Sequence, residues 1–179
     1  MQHSRLKPYS EPNSANFWPF FAVEFKSQSR GGTHWVAENQ NAGTGSHSVN
    51  SMEILMKYAR GQKQRQVTDT LFFSCVADME TASIWVHWMD LNDDPRYFSS
   101  AIDTYILRRP KDLVAFRASV RNIIDYGIDQ RLTTIKEALH DLLPQVPQWD
   151  QEDKEAKSRK LFQDNHDGGA AGYVGRKRR

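Results

Sequence analysis

The chain has 179 residues, 39% of them hydrophobic and 11% aromatic, enough for one domain with a real core and polar ends. Its formal charge of +2 is too small to imply a polyanionic partner by itself. The single cysteine, Cys75, excludes an internal disulfide and a thiolate zinc cluster, and it suits a reducing intracellular setting.

No stretch reaches the roughly 18 apolar residues that span a bilayer. The polar start, Met1 to Pro12, lacks the apolar core of a signal peptide. The expectation is an intracellular protein of nucleus or cytoplasm, neither membrane-bound nor secreted.

Residues 1–16 are polar and carry Pro8 and Pro12, which predicts a disordered or loosely attached lead-in. Apolar material begins at Phe17 and Trp18, and Pro19 suits a strand start. Residues 20–26 read as a buried strand. Side chains alternate along it, so Glu24 and Lys26 share one face and Val23 and Phe25 the other. A carboxylate and an ammonium in a buried strand must be paired or used.

Gly31-Gly32 turns the chain, and a helix is predicted from His34 to about Arg60. Asn41 to Ser46 holds small residues inside it, including Gly43 and Gly45, which suggests close packing on a sheet or a kink. Its spacing matches no phosphate-binding glycine loop. Residues 61–68 read as a polar, basic linker with Lys63 and Arg65. Strands at 71–77 and 82–89 flank a short turn at Asp78 to Thr81, predicting a hairpin. Both faces of the second strand are largely apolar, so it is expected to be covered on both sides.

After a turn at Asn92 to Pro95, residues 97–107 read as a further strand. Pro110 fits the first position of a helix to Tyr126 with Leu113, Phe116, Val120, Ile123 and Ile124 as its stripe. Gly127 is read as its end, and a last helix runs from Asp129 to the residues before Pro144. Residues 150–179 are charged and poor in large apolar groups, and read as a disordered tail ending in Arg176-Lys177-Arg178-Arg179. The order predicts an α/β or α+β fold, a small mixed sheet of about four strands flanked by helices, over residues 17–149.

Several residues carry competing readings. His87 is expected to be satisfied within the sheet, and His34 and His47 have no partner at metal-ligand spacing. Arg117 and Arg121 lie four apart on one helix face and, with Arg131 and Lys136, could meet phosphates, although a solvated face is the more common role. The terminal Arg176, Lys177, Arg178 and Arg179 suit a nuclear address or a nucleic-acid arm. Trp85, Trp88 and Phe116 read as core rather than base-stacking platforms.

The segments 19–26, 36–43, Val49-Asn50, 85–88 and 116–127 together resemble an uncharacterised fungal domain of unknown function with a PD-(D/E)XK nuclease-like core. The resemblance covers residues 17–143. It implies that Glu24 is a ligand of Mg2+ or Mn2+, Lys26 a catalytic lysine and Gln40 a supporting polar residue, acting on DNA. The family's upstream Pro-Asp has no counterpart here, since no aspartate precedes Glu24. One carboxylate alone holds such an ion poorly. The chain therefore reads as an N-terminally incomplete member, retained as a binding or interaction domain or as a truncated product. The alternative is an active Mg-dependent DNA endonuclease or exonuclease using Glu24 and Lys26. A missing neighbour strand would leave residues 20–26 at an exposed sheet edge, open to self-association.

Overall fold

The computed structural model describes residues 5–10, 17–26, 33–61, 66–90 and 96–167. The chain divides into two compact units, Met1–Asp141 and Leu142–Arg179.

The first unit holds a four-stranded mixed open sheet in the order β1-β2-β3-β4, with β1 Phe21–Phe25, β2 Phe72–Ala77, β3 Thr81–Met89 and β4 Tyr97–Ile106. β1 runs parallel to β2, and the crossover between them is the long helix α2, His34–Arg60. A parallel pair needs such a crossover, whereas β2-β3 and β3-β4 are antiparallel neighbours in sequence. The β2-β3 turn is closed by Asp78, whose Oδ1 accepts from the N–H groups of Glu80 at 2.8 Å and Thr81 at 2.7 Å.

α2 begins where expected. Thr33 caps it, its hydroxyl accepting from the Val36 N–H at 3.3 Å. It ends at Gly61, whose φ of 68° is a left-handed value that glycine adopts without penalty. The linker reading of Lys63 and Arg65 lies outside the described residues, and a short 3-10 turn, Val67–Thr70, leads into β2.

Alternation in β2 sends Phe72, Ser74 and Val76 to one face and Phe73, Cys75 and Ala77 to the other. On the first face Phe72 packs with Val49 of α2, with Met89 and with Ala22. On the second, Cys75, Ala82, Ile84 and Tyr105 pack with Ile123, Phe116 and Val120 of helix α3, Pro110–Tyr126. The sheet is thus covered on both faces, as the apolar pattern of β3 predicted. Coverage stops short of the edges. β4 is exposed along almost its whole length, and Val23 and Phe25 of β1 are exposed too. The expectation that residues 20–26 form a buried strand is corrected, whereas their place at an exposed sheet edge is as expected: β1 is an edge strand among the described residues, with Val23 and Phe25 open to solvent.

The glycines of α2 sort by what they touch. A Cβ on Gly45 would come within 2.6 Å of the His87 ring, so this position lets the helix press onto β3. Gly43 has nothing within 4 Å. Gly127, expected to end α3, is helical at φ −62° and leads through a π turn, Gly127–Arg131, into helix α4, Leu132–Leu142. A Cβ there would meet the Phe20 ring at 2.2 Å, so the residue is small for space and not for a break.

The lead-in reading is also corrected over residues 5–10. Lys7–Ser10 form a short helix, α1, with Leu6 and Ser10 buried. The Ser51 hydroxyl donates to the Tyr9 carbonyl, and the Trp18 N–H donates to the Ser10 carbonyl at 2.9 Å. Trp18 is buried with φ 44°, a strained value for a large side chain. Arg131 holds that corner: its guanidinium donates to the carbonyls of Leu71 at 2.7 Å, Pro19 at 3.0 Å and Trp18 at 3.4 Å.

The second unit carries helix α5, Val146–Asp167. Residues 150–167, expected to be a disordered tail, are helical. Pairs four apart explain it: Gln148–Glu152 at 2.9 Å, Gln151–Glu155 at 3.2 Å and Glu155–Arg159 at 3.6 Å. Residues 168–179 lie outside the described residues. Among the described residues, no helix is long and apolar enough to cross a membrane.

Candidate functional site

Because β1 and β2 are parallel, their C-terminal ends lie side by side. The register sets Phe25 beside Ala77, and the Lys26 N–H donates to the Ala77 carbonyl at 3.0 Å, so Lys26 comes next to Asp78. Ala22, Glu24 and Lys26 share the face that α2 covers. From α2 come His34, in its first turn, and Gln40.

Lys26 is the centre of this arrangement. Its Nζ donates to Gln40 Oε1 at 2.5 Å and stands 3.4 Å from Glu24 Oε2. The same-face pair expected from the Glu-x-Lys spacing is present, and Gln40 joins it from the helix. Next to it, His34 Nε2 and Asp78 Oδ2 are 2.9 Å apart. Burial works to raise the Asp78 pKa, but the Glu80 and Thr81 N–H groups and His34 outweigh it and hold the carboxyl at about 2. Two polar groups therefore lie at the carboxyl ends of two parallel strands, Lys26 with Glu24 and Gln40, and Asp78 with His34, the end at which open α/β sheets hold ligands. An ammonium fixed between a carboxylate and an amide, beside a His-Asp pair, can orient a polar ligand by hydrogen bonds.

The sequence weighed His34 only as a metal ligand, and nothing in it joined His34 or Asp78 to Lys26. Asp78 reads as a turn residue, and it is one. Only the parallel pairing of β1 and β2 brings it to Lys26.

The residues do not fit a magnesium or manganese ion. Such an ion wants several oxygen ligands and a high ligand charge. Glu24 offers one carboxylate, already beside an ammonium. Both Asp78 oxygens are committed to the turn and to His34. Among the described residues, no group of three or more His, Cys, Asp or Glu side chains could hold a metal.

Arg117 and Arg121 are exposed on α3, on the opposite face of the sheet, so the structure does not bring them to Lys26. They flank an open groove of about 490 Å³ with Val114, Phe116, Val120 and Ile124. Arg131 is buried in the carbonyl cluster beside Trp18 and is not available to phosphate, whereas Lys136 is exposed. His87 is satisfied within the sheet, its Nε2 2.8 Å from the Ser74 hydroxyl, and burial pushes its pKa down to about 4. His47 is exposed. Burial pushes the Cys75 thiol up to about 11, which leaves it unreactive. Arg176, Lys177, Arg178 and Arg179 lie outside the described residues.

Residues 2–139 match the family described as a domain of unknown function (DUF7924). The chain belongs to this family. The match takes in the N-terminal residues as well as the sheet, in keeping with the anchoring of α1. No curated protein and no solved structure matched the DUF7924 chain.

Proposed function

We propose that this DUF7924 chain is a nucleic-acid-binding domain on a PD-(D/E)XK nuclease-like core, and that it does not hydrolyse its ligand. The observation that carries this reading is Lys26, held between Glu24 and Gln40 at the end of a strand that crosses over through α2 to a parallel neighbour. The resemblance to nucleases predicts those residue types at those places. Glu24 paired with Lys26, and Asp78 committed to its turn and to His34, argue against hydrolysis through a bound ion. The exposed Arg117 and Arg121 supply a second, cationic face for phosphates, and the run 176–179 suits a nuclear address.

Fluorescence anisotropy with labelled duplex and single-stranded DNA, across a salt series, tests the reading. The expected result is binding that weakens with salt, the salt slope falling by about 1 for each of Arg117→Ala and Arg121→Ala. No binding at low salt overturns the proposal. Cleavage in magnesium or manganese, lost in both Glu24→Ala and Lys26→Ala, would make the domain an enzyme instead.

A further inference from the structure

Among the described residues the sheet has two open edges, β1 and β4, and they differ. β4 is interrupted by a bulge opposite Ile84 and Trp85, where Asp103 and Ala101 are partners and Ile102 is skipped. A bulge of this kind protects an edge against pairing with another chain. β1 has none, and no proline or lysine falls within Phe21–Phe25.

The hydrogen bonds of β1 show which groups point outward. The Phe20 carbonyl accepts from Phe73, and the Lys26 N–H donates to Ala77. In a parallel ladder, alternate residues turn both backbone groups to the same neighbour. Residues 20, 22, 24 and 26 therefore face β2, and Phe21, Val23 and Phe25 turn their N–H and C=O groups to the open edge. The same three side chains lie on the α3 face, where Val23 is 42% and Phe25 76% exposed.

This edge is self-complementary. We propose that β1 pairs with β1 of a second copy, antiparallel about a two-fold axis at Val23. Phe21 then stands opposite Phe25 of the other copy, Val23 opposite Val23, and Phe25 opposite Phe21. All three outward-facing residues meet outward-facing residues, giving about six inter-chain hydrogen bonds. The Phe-Val-Phe face reads the same in both directions, as an isologous contact requires. On the other face Glu24 falls opposite Ala22. Moving the axis to Glu24 would set like charges against each other, which selects the Val23 register. The two four-stranded sheets become one continuous sheet, and the exposed Val23 and Phe25 are covered by their counterparts. The inference is independent of the nucleic-acid reading.

Sedimentation velocity over a dilution series, with circular dichroism to check folding, tests it. The intact chain is expected to run at twice the chain mass when concentrated. Val23→Lys sets two ammonium groups on the axis, and Val23→Pro removes an N–H that β2 does not use. Both are expected to give folded monomers. Val23→Cys locates the axis: under mild oxidation it is expected to give a covalent dimer, whereas Phe25→Cys, facing Phe21, gives none. A monomeric intact chain at high concentration overturns the proposal. So does a dimer unchanged by Val23→Lys, or a Phe25→Cys chain that cross-links as readily as Val23→Cys.

Discussion

Lys26 and Gln40 meet through a 2.5 Å hydrogen bond that ties the end of β1 to the crossover helix. The ammonium is also 3.4 Å from Glu24, so it is the shared partner of two acceptors. This corner is partly exposed, and exposed ion pairs are worth little. Gln40→Ala is expected to lower stability by about 1 kcal/mol, and Glu24→Gln by less than about 1 kcal/mol. Urea denaturation of each variant checks both. A loss of several kcal/mol at Glu24 would show a structural role that the geometry does not provide.

The two glycines of α2 predict opposite outcomes. Gly43→Ala adds a methyl in open space and removes the helix penalty of glycine, so it is expected to stabilise by about 0.5–1 kcal/mol. Gly45→Ala drives a methyl into the His87 ring, and overpacking of this kind costs about 1–3 kcal/mol. Thermal unfolding of the pair separates the two signs.

Stability is expected to fall as the solution is acidified. His87 takes its proton at about 4 when folded, against 6.5 in its ordinary state. Between those values the unfolded chain holds more protons, so stability is full above about 6.5 and drops as pH falls, by about 3 kcal/mol in all. Asp78 acts lower. Its folded pKa of about 2, against 3.8, gives a contribution present above 3.8 and lost as pH falls through 2. Denaturation midpoints measured across this range test both steps. His87→Gln should flatten the upper one and leave the lower.

Arg131 is buried, and its guanidinium serves three backbone carbonyls. Arg131→Met leaves those acceptors without their donor, at a cost of about 3 kcal/mol. Arg131→Lys is not expected to recover it, because an ammonium lacks the planar fork that reaches all three. Denaturant midpoints of the two variants check this.

The periodicity of the chain carried much of the fold. Alternation and turn chemistry located β2, β3 and the Asp78 turn, because side-chain direction in a strand is a local property. Pro110 marks a helix start by its fixed φ. Glycine was less legible: Gly127 reads as a stop, but it is small because Phe20 lies against it. The α5 helix is not legible in the composition, because low hydrophobicity suits a disordered segment as well as a helix supported by pairs four apart.

The sequence alone determined that Glu24 and Lys26 share a face, since the period of a strand needs no knowledge of its neighbours. It also determined the mixed α/β class. Only the tertiary structure decided that β1 is parallel to β2, which brings Gln40 and Asp78 to the end of β1 and leaves Arg117 and Arg121 on the other side of the sheet. Strand order and burial depend on contacts between residues far apart in the chain, and no local pattern records them.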